Sequence, residues 1–226
     1  MRFLVLFLCT LLLAGFNVEA QNANTQGYEI KFQALGIDDS YLYLQAYYGE
    51  EAYIFDSAKV KGQKAVVFKN KKKVIPTGIY TLTDRFGNEY LDLVINKDRY
   101  FAVMGLTLDR LSTTAVVSGS EENSQFIEFQ KQMASAEALQ EKSPHSIDNT
   151  AKMFYESMPE SFLGHYVKAK YYINPALSKL DEKDTADASQ QYQQLIDHYF
   201  DYYTFDDARL LRAPIYLDLR NYFFEV

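Results

Sequence analysis

The hydrophobic pattern of this chain changes period once, and that change limits the fold more than any other feature. From Gly27 to Ser118 apolar residues alternate with polar ones, the two-residue repeat of half-buried strands. From Ser120 onward they recur at three and four residues, the repeat of amphipathic helices. The predicted class is therefore α+β. An N-terminal antiparallel β-sandwich or barrel of about eight strands precedes an all-α C-terminal domain. The expected plan is a signal peptide over residues 1–20, a β-rich domain over 21–118 and a helical domain over 119–226.

The strand readings come from alternation and turn residues. Tyr28, Ile30, Phe32 and Ala34 alternate with Glu29, Lys31 and Gln33. Residues 36–40 turn the chain into a run at 41–48. There Leu42, Leu44 and Ala46 share one face, and Tyr41, Tyr43 and Tyr47 the other. Further runs cover 52–60, 65–68, 79–83, 90–95, 100–104 and 115–118. Gly62, Gly87 and the Asn96-Lys97-Asp98 triplet mark turns between them.

Helix signals begin at Ser120, a predicted N-cap with Glu121 and Glu122 in the first turn. Phe126, Phe129, Met133 and Ala136 form the apolar face of that helix. Ser143-Pro144 ends it, and Ser146-Ile147-Asp148 opens a short helix to Ser157. Pro159 fits the first turn of a third helix through Phe162, Tyr166 and Ala169. Asn174-Pro175 breaks it. A fourth helix is expected from Asp184 or Thr185, with Tyr192, Leu195, Ile196, Tyr199 and Phe200 as its face. Asp206-Asp207 precedes a short turn. Pro214 opens a last helix whose Ile215, Tyr216, Leu219, Tyr222, Phe223 and Phe224 either dock on the body or once met something that followed.

The first twenty residues read as an export signal. Arg2 gives the positive start, Phe3 to Phe16 the apolar run, and Val18-Glu19-Ala20 the cleavage site. The run is too short for a spanning helix, which needs about 20 apolar residues. Cys9, the one cysteine, lies inside the apolar run rather than at a lipid-attachment point. Cleavage leaves a chain with no thiol and no later membrane span, expected in the periplasm or cell envelope. The 226 residues carry 23 Lys+Arg against 30 Asp+Glu. That acidic balance argues against non-specific nucleic-acid binding, which needs cationic surface.

Catalytic vocabulary is sparse. One cysteine excludes an intramolecular disulfide, a CxxC pair and a thiolate zinc site. His145, His165 and His198 lack HxxxH or HExxH spacing, so structural roles are expected rather than metal binding. Ser57 has no G-x-S-x-G context and is expected to bond local backbone beside Asp56. No Gly-Lys-Ser/Thr follows Gly119, so no phosphate loop is read there. Lys69, Lys71, Lys72 and Lys73 read as a solvated hairpin loop that keeps a sheet edge from pairing; the alternative is that they meet an anionic surface. No catalytic, metal or cofactor residue is assigned. The tyrosines are the suggestive feature, because exposed Tyr offers contact area with one polar handle. Tyr41, Tyr43, Tyr47 and Tyr48 are the candidate partner-binding residues. A site there requires Tyr43 and Tyr47 to be more than half exposed on one face. The alternative is that these rings cover the core and the interface between the two halves.

Five segments carry a family resemblance. Ile54-Phe55-Asp56-Ser57-Ala58-Lys59-Val60, Pro76-Thr77-Gly78-Ile79-Tyr80 and Val117-Ser118-Gly119-Ser120-Glu121-Glu122-Asn123 resemble the N-terminal region of envelope thiol-disulfide oxidoreductases of the TlpA/ResA type. Ser161-Phe162-Leu163 and Arg209-Leu210-Leu211-Arg212-Ala213-Pro214 resemble recurrent segments of the helical part. The resemblance implies a β-rich domain and a helical domain standing before a thioredoxin-like domain. This chain holds no CxxC, so no redox residue carries over. The implied role is a non-catalytic exported accessory module. Its partner would be an envelope protein or a separately encoded thioredoxin-like domain. The alternative is a stand-alone envelope protein that binds peptide or glycan; a third reading is an enzyme with an unrecognised site.

Overall fold

A computed structural model describes residues 27–62, 64–139, 146–171 and 207–215, with residues 193 and 197. The expected export signal, His145, His198 and most of the fourth and last helices lie outside the described residues.

Eight strands form where alternation places them. They are β1 (Tyr28–Leu35), β2 (Tyr41–Tyr48), β3 (Glu51–Lys59), β4 (Ala65–Asn70), β5 (Gly78–Thr83), β6 (Glu89–Ile95), β7 (Tyr100–Thr107) and β8 (Val116–Ser118). They make two four-stranded sheets, β4-β1-β7-β8 and β3-β2-β5-β6. The sheets do not close into a barrel. The first is mixed, since β1 pairs antiparallel with β4 and parallel with β7. The second is antiparallel throughout. Inward side chains of both sheets meet in one core, including Ile30, Phe32, Leu42, Leu44, Phe68, Leu82, Leu93 and Val103.

The helical part is less separate than the period change implies. A 3-10 turn at Leu108–Arg110 runs into a short helix, α1 (Leu111–Thr114), before β8 is made. Leu108 and Leu111 seal the first core, which is why β-type sequence there yields to a helical turn. Then come α2 (Glu121–Ala138), α3 (Ser146–Ser157), α4 (Phe162–Tyr171) and a C-terminal 3-10 turn (Ala208–Arg212). Ser120 caps α2, its hydroxyl accepting from Asn123 N–H. Asp207 caps the 3-10 turn in the same way, accepting from Arg209 N–H.

The helices settle on the outer face of the second sheet. Ile79 and Val94 from that face join Phe126, Phe129, Met133, Phe162, Leu163, Val167 and Leu210 in a second core. All six residues of β5 are buried as a result. Thr81 and Thr83 therefore sit inside although their pattern alone would put them in solvent. Burying each of these large side chains contributes about 1.5–3 kcal/mol.

The edge strand β6 has an unusual partner. Asn123 of α2 accepts from Val94 N–H at 2.9 Å and donates to Val94 C=O at 2.7 Å. Two helical turns on, Gln130 accepts from Asp92 N–H at 3.3 Å and donates to Asp92 C=O at 2.9 Å. Two side-chain amides thus stand in for a fifth strand, and they satisfy edge groups that the helix would otherwise bury unpaired. Gly78 permits the opposite contact. A Cβ there would lie 2.6 Å from Arg212 C=O, so only glycine lets the C-terminal turn reach β5.

Candidate functional site

The four singled-out tyrosines do not form one patch. Tyr41 and Tyr48 are exposed at opposite ends of β2, Tyr43 is half-buried, and Tyr47 is only 9% exposed. The expectation that Tyr43 and Tyr47 are more than half exposed is not met. Tyr47 is buried because its end of β2 lies under Lys170 and Pro214 and against Thr81, whereas Tyr41, on the same face, stays exposed. Tyr48 instead carries the Arg212 guanidinium over its ring at 5.2 Å.

Tyr47 opens onto a cavity of about 340 Å³ between this face and the helices, lined also by Gln45, Glu89, Asp92, Lys170 and Pro214. Strand register builds its floor, because Thr81 of β5 pairs with both Gln45 and Asp92. The hydrogen bonds there have a fixed direction. Thr81 has a single hydroxyl proton and donates it to the Asp92 carboxylate at 2.7 Å. The Tyr47 phenol therefore donates to Thr81, also at 2.7 Å, and its oxygen accepts from Gln45 Nε2 at 3.0 Å. Each of the two hydroxyls has one proton to give and the carboxylate only accepts, so no other assignment satisfies the chain. Burial pushes the Tyr47 phenol up from its ordinary pKa.

Glu50, Glu89 and Asp92 give the cavity its negative charge. Burial and the Asp92 charge raise the Glu89 carboxyl above the usual carboxylate value, and Lys170 partly offsets them. Lys170, near the end of α4, donates to Tyr166 Oη at 3.2 Å. Desolvation opposes its ammonium, but Tyr166, Asp92 and Tyr171 outweigh that and raise its pKa. The cavity thus offers three carboxylates, from Glu50, Glu89 and Asp92, with one ammonium, an amide and a phenol. That set can orient a small polar group; it contains no nucleophile paired with a base.

The other singled-out residues fall into structural roles. His165 Nδ1 lies 3.0 Å from Asp207 Oδ2, and Arg209 donates to the same carboxylate at 2.7 and 2.5 Å. The Arg209 bonds, with that of His165, hold the Asp207 carboxyl down at about 2. The Arg209 guanidinium lies over the Phe162 ring at 5.1 Å. Two segments singled out at opposite ends of the helical sequence are thereby tied together. Ser57 N–H donates to Asp56 Oδ1 at 2.8 Å, so the local backbone bond is made by the Asp56 carboxylate, within β3 rather than at its end. Lys73 caps the Phe55 carbonyl at 2.7 Å, beside a bulge in edge strand β3, which fits the edge-protecting role. Among the described residues no group of three or more His, Cys, Asp or Glu is placed to hold a metal ion. No helix among them is long and apolar enough to cross a membrane.

Sequence reasoning reached Tyr47 but missed Glu89, Asp92 and Lys170. Asp92 carried a readable signal, being a carboxylate between Leu91 and Leu93 on the same strand face as Val94. Lys170 carried none, because its approach depends on where α4 lands. No family model, no curated protein and no solved structure matches the chain.

Proposed function

We propose that this protein is an exported, non-catalytic accessory module that binds or positions a partner, as its resemblance to the front part of TlpA/ResA-type oxidoreductases suggests. We read its two sheets as a β-sandwich with a helical layer on one side. The observation that carries the reading is the outer face of the first sheet. There Leu35, Met104, Leu106 and Val116 are 45–61% exposed. Met104 pairs with Val116 across β7 and β8, and Leu35 with Thr107, beside Leu106. An apolar row on a sheet face that no described helix covers supports a docking role. The partner of first choice is a thioredoxin-like domain supplied in trans. Replacing Leu106 by a photo-crosslinking residue should trap that domain, and Met104→Lys with Val116→Lys should abolish the adduct while the melting temperature holds. An adduct that survives the double substitution sinks the reading.

A second reading is supported by the Tyr47 cavity. Its polar groups suit a peptide terminus or a glycan hydroxyl cluster, and its volume suits one residue or one sugar unit. Asp92→Asn and Glu89→Gln should weaken such a ligand without moving the crosslink at Leu106.

A further inference from the structure

Between Ser57 and Thr83 the sequence holds seven lysines, Lys59, Lys61, Lys64, Lys69, Lys71, Lys72 and Lys73, and no Asp or Glu. The chain as a whole has a formal charge of -7, so positive charge is concentrated here. All seven side chains are exposed. Lys69 pairs with Glu29, which Lys31 also contacts at 2.7 Å, and Lys73 is spent on Phe55. The other five form no ion pair among the described residues.

The fold lines these charges along one border. β4 is an edge strand whose one ladder partner is β1. Its six residues span about 20 Å at roughly 3.3 Å each. Lys59, Lys61 and Lys64 cluster about the β3–β4 turn at one end, and Lys69 and Lys71–Lys73 at the other. Protecting this edge from pairing requires a charge or two; seven exceed that need. Two apolar tips accompany the second cluster. Val74 follows Lys73 and is 49% exposed, and Ile54 precedes Phe55 and is 51% exposed. The Lys73 ammonium, 3.7 Å above the Phe55 ring, ties the loop to β3. The helices carry the opposite sign, with Glu121, Glu122, Glu128, Glu137, Asp148 and Glu156 on α2 and α3.

We propose that the β4 edge seats this protein on an anionic phospholipid surface, with Lys61, Lys64, Lys71 and Lys72 among the headgroups and Ile54 and Val74 at the acyl boundary. Every cation in the stretch is lysine, a flexible point charge that matches a fluid array of headgroups. A folded acidic partner would favour the planar, bidentate fork of arginine. Screening over about 8–10 Å keeps the distant acidic helices from cancelling the local attraction. Exposed apolar side chains beside lysines add burial at the interface. The inference stands on the β4 edge and the neighbouring end of β3, apart from the docking face and the Tyr47 cavity.

The test is flotation of the full chain with phosphatidylcholine vesicles, with and without an equimolar share of phosphatidylglycerol. The parent should bind the anionic vesicles preferentially, and added salt should erase the preference. Each lysine at an anionic surface contributes about fivefold. The combined variant Lys61→Gln, Lys64→Gln, Lys71→Gln, Lys72→Gln should therefore lose about a hundredfold or more. Lys131→Gln with Lys152→Gln, on the helical side, should lose nothing. The apolar N-terminal run is common to all these chains and cancels in the comparison. Circular dichroism checks folding; if the fourfold variant is unfolded, the loop pair Lys71→Gln, Lys72→Gln replaces it, with about a twentyfold loss expected. Equal binding to both vesicle types, or undiminished binding by a folded lysine variant, overturns the proposal. So does retention on heparin or polyglutamate through the same lysines without vesicle binding, which would assign the edge to a soluble polyanion.

Discussion

The outer faces of the two sheets began with similar sequence patterns and ended in different environments. Strands β2, β5 and β6 carry Tyr47, Thr81, Asp92 and Val94 outward, and the helices bury that face in a second core. Strands β1, β7 and β8 carry Lys31, Gln33, Met104, Leu106 and Val116 outward, and no described helix covers them. The covered face is the more polar at its centre. What commits the helices to it is the pair of amides on the β6 edge, together with Ile79 and Val94 as apolar footholds. A buried polar contact that must be satisfied specifies position more sharply than apolar area does.

The comparison can be broken most directly by truncating one side of it. Phe126→Ala should cost about 3–5 kcal/mol of unfolding free energy, read by urea denaturation. A cost below about 1 kcal/mol would mean that the helical layer is not part of the cooperative unit. Asn123→Ala leaves the Val94 N–H and C=O buried and unpaired, and should cost on the order of 3 kcal/mol. Amide hydrogen exchange at Val94 should accelerate with it. Unchanged exchange would show that β6 is held without the amide.

Gly78→Ala tests the remaining attachment of the helical layer. The new Cβ collides with Arg212, so about 1–3 kcal/mol should be lost, and the same substitution at Gly36, where open space surrounds the site, controls for close approach. Gly36 has a positive φ of 71°, so its own cost is backbone strain rather than collision. Asp207→Asn should cost about 1–2 kcal/mol at neutral pH. The sign follows from the carboxyl lying at about 2 when folded, below its ordinary value of 3.8. Its stabilisation is complete above about pH 4 and is lost as pH falls from there towards 2. Acid denaturation of the variant should lack that component; identical acid curves would refute the assignment. On the uncovered face, Met104→Ala should change stability by no more than about 0.5 kcal/mol. A larger loss would mean that this face is already occupied.

Much of the architecture was legible in the residues. Alternation located all eight strands because each has one face on a core. The Ser120 cap, the α2 face at Phe126, Phe129 and Met133, and the turn after Asp207 were equally local. The short helix at Leu111–Thr114 was not, because Val103 to Val116 alternates weakly and tertiary sealing of the core chose the helical turn. Of the cavity, the sequence showed Tyr47 but left open whether it was an exposed contact residue or a ring covering core, and burial decides for the second. Period two says which residues share a face; it does not say what lies over that face.

The sequence by itself determined local geometry and charge: strand and helix periods, caps, the absence of a thiol pair, and a lysine stretch without acids. Only the tertiary structure decided that Tyr47 is covered while Met104 is bare, that Asp92 meets Lys170's field, and that the lysines line a single edge. Those outcomes depend on contacts between residues far apart in the chain, such as Asn123 with Val94 and Gly78 with Arg212. Their free energy arises only once two separately formed elements meet, so no local pattern carries it.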